Sequence, residues 1–349
     1  MAGFEFKSHK SYASFIRQQI NAGFGRFVTW HQICFGNNRF WREILFPRPW
    51  HRGKTIEKGK TVFVCGISRS GTTLLATILD SHSKISMGYE LLPGEIGSLE
   101  NLIGLLDHGL DVTEGDFRKC GGVIRKSGKK VEGLFLARCH RVGLSADEVR
   151  HVLRKLVAQG TTHISDLREC LLVAWRIVER KREVSKSLFA GFKLSPSLVF
   201  SAYRHFPCGR FVFILRDPRD VVASQIKRGF DQSVLEICSK WNSCLKTFNR
   251  FNSAHPRRCL LIRYEDLITH PATELDHLFK FLSMDTEERV FSFYDSKASI
   301  HQSCHPNSAD LRRDFFTSSI GRWKEELDLK TKQAILHTSG KYMKELEYL

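Results

Sequence analysis

Three segments of the chain share one pattern: a continuous apolar run, a short polar turn, then residues at helical spacing. From Thr61 to Ile67 a β-branched and apolar run ends in a Ser/Gly-rich turn. Thr72 to Ser81 then takes helical patterning, with Leu74, Leu75, Ile78 and Leu79 on one side. Phe211 to Leu215 is a second run. It is followed by Arg216-Asp217-Pro218 and a helical stretch from Arg219 to Lys227, where Pro218 suits the first helical position and Asp217 its cap. Cys259 to Ile262 is a third, followed by Arg263-Tyr264-Glu265-Asp266-Leu267 and a helix from Pro271 to Leu282. Apolar runs alternating with helices predict an α/β fold, a doubly wound parallel sheet with helices on both faces. Ligands of such sheets bind beyond the carboxyl ends of the strands, so all three turns are expected on one rim.

Residues 96–185 differ in texture and read as a helical insertion within the α/β domain. Ser145-x-x-Glu148 forms a capping box that opens a helix toward Ala158, with Gly160 as its stop. Asp166 to Arg182 continues helically, and the basic Gly-rich segment Arg125 to Lys130 reads as a solvated loop. At the start, Tyr12, Phe15, Ile16, Ile20, Phe24, Phe27 and Val28 fall three and four apart, one helical stripe weakened by Gly23 and Gly25. Residues 1–58 are thus a basic aromatic leader, 59–325 the α/β domain and 326–349 a C-terminal helix.

Charge adds to this picture. The 349 residues carry a formal net charge of +17, which points to an anionic ligand or partner. The first sixty hold eleven Lys/Arg against three Asp/Glu. The leader therefore reads either as docked on its own domain or, through residues 11–30, as lying on an anionic membrane. No apolar run approaches the roughly eighteen residues of a membrane span, and the first thirty lack a secretory h-region. The ten cysteines occur singly, with no CxxC pair or metal-like spacing. Several interrupt apolar runs, so they read as reduced core residues of a cytoplasmic protein.

The first turn carries chemistry. Gly66-Ile67-Ser68-Arg69-Ser70-Gly71-Thr72-Thr73 has two glycines separated by four residues, after a strand and before a helix. This arrangement aims backbone N–H groups and a helix N-terminus at phosphate oxygens. The Lys that would reach β- and γ-phosphates in a nucleoside triphosphatase is Thr72, and an Arg stands inside the loop at position 69. A P-loop kinase or NTPase, using Phe211 to Asp217 as a Walker B strand, is the competing reading. A basic nucleic-acid-binding domain is a third, lacking any helix-turn-helix, RNP or zinc pattern.

Ser68-Arg69-Ser70-Gly71-Thr72-Thr73-Leu74-Leu75 resembles the 5′-phosphosulfate loop of sulfotransferases that use 3′-phosphoadenosine 5′-phosphosulfate (PAPS). Leu215 to Ser224 resembles their 3′-phosphate motif, and Arg263 to Leu267 and Ile320-Gly321-Arg322-Trp323 resemble further landmarks in the same order. The resemblance spans residues 60 to 325 and implies a P-loop-like fold, PAPS as co-substrate with no metal, and an anionic nucleotide donor rather than nucleic acid. It assigns Ser68, Arg69, Ser70, Gly71, Thr72 and Thr73 to the 5′-phosphosulfate, and Arg216 and Ser224 to the 3′-phosphate. Tyr264, Ser308 and Arg322 are further donor contacts, with Ser303 competing with Ser308. Lys193 matches a strand-end Lys directed at the sulfonate; its bland reading is a surface Lys. In the tyrosylprotein branch the catalytic carboxylate follows the loop Arg at the separation seen for Glu90, with Gly88 two residues before it. Glu90 is therefore expected to be the general base with Arg69 as its loop partner, and Glu95 is a substitute. The His base of the small-molecule branch, which follows a Lys-Thr, is absent, and His82 reads as structural. The acceptor is left open among carbohydrate, lipid-linked and peptide hydroxyls.

Overall fold

The computed structural model describes residues 56, 60–93, 96, 98–107, 130–296, 299–302 and 308–349. The proposed leader stripe, the Arg125 to Lys129 segment, Glu95 and Ser303 lie outside the described residues. In chain order the main elements are β1 (Lys60–Cys65), α1 (Thr72–Ser81), β2 (Ile85–Gly88), α2 (Leu99–Asp107), α3 (Lys130–Val142), α4 (Ala146–Ala158), α5 (Leu167–Ser185) and β3 (Phe189–Leu194). Then follow α6 (Val199–His205), β4 (Arg210–Leu215), α7 (Pro218–Lys227), α8 (Val234–Ala254), β5 (Cys259–Arg263), α9 (Tyr264–Thr269) and α10 (Pro271–Leu282). The remainder holds α11 (Ser299–Gln302), α12 (Ser308–Leu311), α13 (Trp323–Glu326) and α14 (Leu329–Glu345).

The five strands form one parallel sheet in the order β2-β3-β1-β4-β5. Strand periodicity splits their side chains between two layers. Phe63, Cys65, Phe192, Phe211 and Phe213 join the cores of α3, α4, α5 and α8. Val62, Val64, Ile85, Met87, Val212 and Ile214 pack with α1, α9 and α10 on the other face. Both faces are buried, which is why the strands read as continuous apolar runs.

Local signals set the element ends. Ser145 and Glu148 form the expected reciprocal cap of α4. Asp166 proves to be the cap of α5 rather than its first residue, accepting from the Glu169 N–H. Asp217 accepts from the Arg219 N–H with Pro218 as the first residue of α7. Strand β1 stops at Cys65, earlier than the apolar run, because Gly66 and Ile67 already belong to the turn. The helices of 96–185 form the crossover between β2 and β3. Helix α5 lies against both strands, so this stretch shares the main core.

Gly191 is where β3 meets β1 most closely. A Cβ there would stand 1.7 Å from the Val62 carbonyl oxygen, a contact only backbone movement relieves. Gly191→Ala is accordingly expected to destabilise the fold by at least about 3 kcal/mol. Urea unfolding measures it, and a loss under about 1 kcal/mol would contradict this packing.

Candidate active site

The sheet order creates a gap. After β1 the chain moves toward the β2 edge, whereas after β4 it moves toward β5, so the turns after these adjacent strands diverge. That divergence is the switch point at which doubly wound sheets take their ligands. The first turn is held in an uncommon shape. Gly71 has φ +96° and would bring a Cβ within 2.6 Å of the Tyr264 ring, while Arg69 sits at φ 73° in the left-handed region. A Cβ on Gly66 would lie 2.8 Å from the Ile214 carbonyl oxygen. Gly71 caps α1 without a side chain and no acidic residue stands in the first turn, so the positive helix end faces the gap without an acidic side chain of its own.

The two turns are stitched together. The Arg69 Nε donates to Ser224 Oγ at 2.9 Å, Gln225 Nε2 donates to the Ser68 carbonyl at 3.0 Å, and Arg216 Nη1 reaches the Arg69 carbonyl at 3.3 Å. Arg216 is 5% exposed; its Nη2 donates to the Ser319 carbonyl, and its guanidinium lies over the Tyr264 ring at 4.6 Å. Its Nε has no hydrogen-bond partner among the described residues. The Asp220 carboxylate lies 4.0 Å from Arg216 Nη2. Tyr264 Oη and Ser319 Oγ are 2.7 Å apart. Burial, with Arg228 and Arg216 nearby, pulls the Arg69 guanidinium below its ordinary pKa, and Arg322 adds to the effect. Four arginines thus share one neighbourhood. Arg228 was missed in the sequence; it lies four residues after Ser224, one turn along the same helix face.

Opposite this cluster, Glu90 follows β2. Its carboxylate accepts from Lys193 Nζ, which also donates to Thr73 Oγ1 at 2.9 Å. Lys193 stands beside Glu90 because alternation along β3 turns position 193 to the α1 face, while the Arg69 Nε donates to Ser224. The backbone around Glu90 is clamped. Asp80 accepts from the Met87 N–H at 2.7 Å and from Lys181 Nζ at 2.5 and 2.7 Å, and Lys181 also donates to the Met87 carbonyl at 3.1 Å. The Lys193 N–H donates to the Tyr89 carbonyl at 3.3 Å.

A second cation approaches Glu90 from α3, which packs against β2. Burial lowers the Arg138 pKa and the Glu90 carboxylate opposes that shift; the Arg138 Nε has no hydrogen-bond partner among the described residues. No sequence pattern marks Arg138, because only the crossover brings it to β2.

The other expected residues fall around the rim. Ser308 opens α12. Arg322 makes two 2.9 Å hydrogen bonds to Glu326, and the Arg219 guanidinium lies 3.9 Å from the Trp323 ring centroid. Asp220, wholly buried, accepts from the Gly321 and Trp323 N–H groups at 2.8 and 3.0 Å, tying that turn to α7. His82 is structural as read, buried with Nε2 3.1 Å from the Asp285 carbonyl oxygen.

A parallel sheet with a phosphate-loop turn at its switch point and an arginine cluster facing it defines a P-loop-like α/β protein built to hold an anionic ligand. Residues 61–116 and 142–288 match the model of the sulfotransferase family. The chain belongs to that family. It is 26% identical over 236 residues to the protein-tyrosine sulfotransferase of Drosophila melanogaster, covering 66% of this chain and 39% of the relative. It is 25% identical over 238 residues to protein-tyrosine sulfotransferase 2 of Gallus gallus, covering 66% and 52%. The chain thus spans about half or less of the length of these relatives. In fold it is similar to the sulfotransferase domain from the olefin synthase of Synechococcus PCC 7002, with TM-score 0.56 and 18% identity over 83% of this chain and 98% of that one. The sulfotransferase domain from the curacin biosynthetic pathway is similar too, with TM-score 0.54 and 18% identity over 84% and 98%.

Removing Asp220 takes the acceptor from two half-buried N–H groups and a carboxylate from beside Arg216. Asp220→Ala is expected to cost about 2–4 kcal/mol. Denaturant titration reads this, and a loss within about 0.5 kcal/mol would mean that the 321–323 turn is held by other contacts.

Proposed function

We propose that the protein transfers a sulfuryl group from PAPS to a hydroxyl or amine of an acceptor. The observation that carries this reading is the pair of stitched turns, in which the α1 N-terminus and Arg69 meet Arg216 and Ser224 across the switch point. PAPS carries a 5′-phosphosulfate and a 3′-phosphate, two anionic ends that need two cationic pockets. The residues present fit it: guanidinium groups crowd together around the buried Arg216, whose Nε has no hydrogen-bond partner among the described residues. Ser68 to Thr73 would hold the 5′ end, and Arg216, Ser224 and Arg228 the 3′-phosphate. Tyr264, Ser308 and Arg322 would complete the donor site.

In the transfer, the acceptor oxygen or nitrogen forms a bond to sulfur as the bond from sulfur to the phosphate oxygen breaks. The acceptor proton passes to Glu90, and 3′,5′-ADP leaves with the electron pair of the broken bond. Lys193, bonded to both Thr73 and Glu90, stands where it can neutralise charge on the transferring group and the leaving oxygen. No metal is required in this scheme. A kinase reading is served less well, because Thr72 stands where the phosphate-loop Lys belongs.

Among acceptors, the names of the curated relatives support a tyrosine hydroxyl of a peptide over carbohydrate or lipid-linked hydroxyls. No described helix is long and apolar enough to cross a membrane. Seven described cysteines are free thiols, six of them buried, which supports a reducing, cytoplasmic setting.

Calorimetry and turnover assays test the assignment. Arg216→Ala is expected to raise the Kd for 3′,5′-ADP by about 100-fold, and equal affinity in both proteins would remove the 3′-phosphate assignment. Glu90→Gln is expected to retain 3′,5′-ADP binding while losing about 100- to 10,000-fold in turnover. Intact mass spectrometry of peptide acceptors with labelled PAPS reads the transfer as a gain of one SO3, and full turnover by the Glu90 variant would place the base elsewhere.

A further inference from the structure

Lys193 belongs to two sites at once. Its ammonium is hydrogen-bonded to Thr73, the second residue of α1 on the phosphate-loop side, and to the Glu90 carboxylate. Its side chain is 13% exposed and that of Glu90 37%, so the pair is screened only in part. The two partners differ in freedom. The backbone flanking Glu90 is fixed by the Asp80–Lys181 pair gripping Met87 and by the Lys193 N–H on Tyr89. The Lys193 ammonium ends a flexible four-carbon stem and carries three donors. An anion arriving at the α1 N-terminus would place negative oxygens beside Thr73, within the reach of that ammonium. Arg138 would then remain as a cation close to Glu90.

We infer that Lys193 is a shared cation for which Glu90 and the donor compete, so that donor binding draws the ammonium off Glu90 and leaves the carboxylate a stronger acceptor for the acceptor's proton. This rests on the proposed PAPS chemistry. The arrangement holds one more cation on Glu90 while no donor is present than once the sulfuryl group is in place. It also means that free protein spends part of its donor affinity on breaking an internal ion pair.

The test is a double-mutant cycle on ligand affinity, needing no acceptor. Kd values for PAPS and for 3′,5′-ADP are measured by calorimetry at constant ionic strength for wild type, Glu90→Gln, Lys193→Met and the double variant, with Lys193→Gln as a second replacement should the Met variant fold poorly. Competition for one ammonium predicts that Glu90→Gln binds about three- to tenfold more tightly than wild type. Lys193→Met binds more weakly, and Glu90→Gln brings no further change in the Lys193→Met background. If Glu90→Gln tightens binding equally in both backgrounds, Glu90 merely repels the donor and the inference fails. Unchanged or weaker binding by Glu90→Gln overturns it as well. Failure of wild type to bind either nucleotide would instead bring down the PAPS reading itself.

Discussion

The gathering of four arginines at the carboxyl rim of the sheet is the constraint on which the site depends. Arg69, Arg216, Arg228 and Arg322 stand near one another at the carboxyl rim of the sheet, and burial with mutual repulsion pulls the Arg69 guanidinium down. Backbone carbonyls of Ser319 and Arg69 and the face of Tyr264 absorb part of that cost at Arg216. Asp220 lies nearby, yet its oxygens are committed to the N–H groups of Gly321 and Trp323, and burial raises its own pKa. Arg228 lies 3.9 Å from Asp310 and Arg322 pairs with Glu326, so carboxylates balance these two arginines while backbone carbonyls and a ring face serve Arg216.

Topology explains why the charge collects there. Parallel strands deliver the turns after β1, β3, β4 and β5 to one rim, and the reversal of chain direction between β1 and β4 leaves the space into which α1 and α7 point their N-termini. The same register carries position 193 to the α1 face, beside Thr73 and Glu90. The arginines, the α1 N-terminus and the Glu90–Lys193 pair are thus brought to one rim by strand geometry. Arg69 and Gly71 in the first turn and Gly321 in the turn tied to Asp220 take positive φ.

Much of this was legible in the amino-acid order, for a reason that also marks where legibility stops. Alternation of apolar runs with helical spacing is a local property, as are the Ser145–Glu148 cap and the Asp217-Pro218 start, and each stands where local chemistry placed it. The phosphate turn was readable because its glycines, hydroxyls and arginine are contiguous. What joins distant positions was not readable. Lys193 meets Glu90 across 103 residues, and no spacing rule ranks it above Arg69 as the partner of that carboxylate. Arg138 carries no motif and reaches Glu90 only because α3 settles on β2. Arg228 belonged to the α7 face already under attention, and the i, i+4 relation to Ser224 was the signal that could have found it.

The Asp80–Lys181 bolt joins parts of the molecule with different duties. Asp80 lies on the helix that follows the phosphate turn, Met87 on the strand that leads to the base, and Lys181 near the end of the long crossover helix α5. A graft that replaced the crossover to change which molecule is modified would cut this bolt unless it brought a matching ammonium to the same spot. The crossover, the phosphate turn's helix and the strand that leads to Glu90 are mechanically one module, and a redesigned crossover would have to leave the face that touches β2 intact.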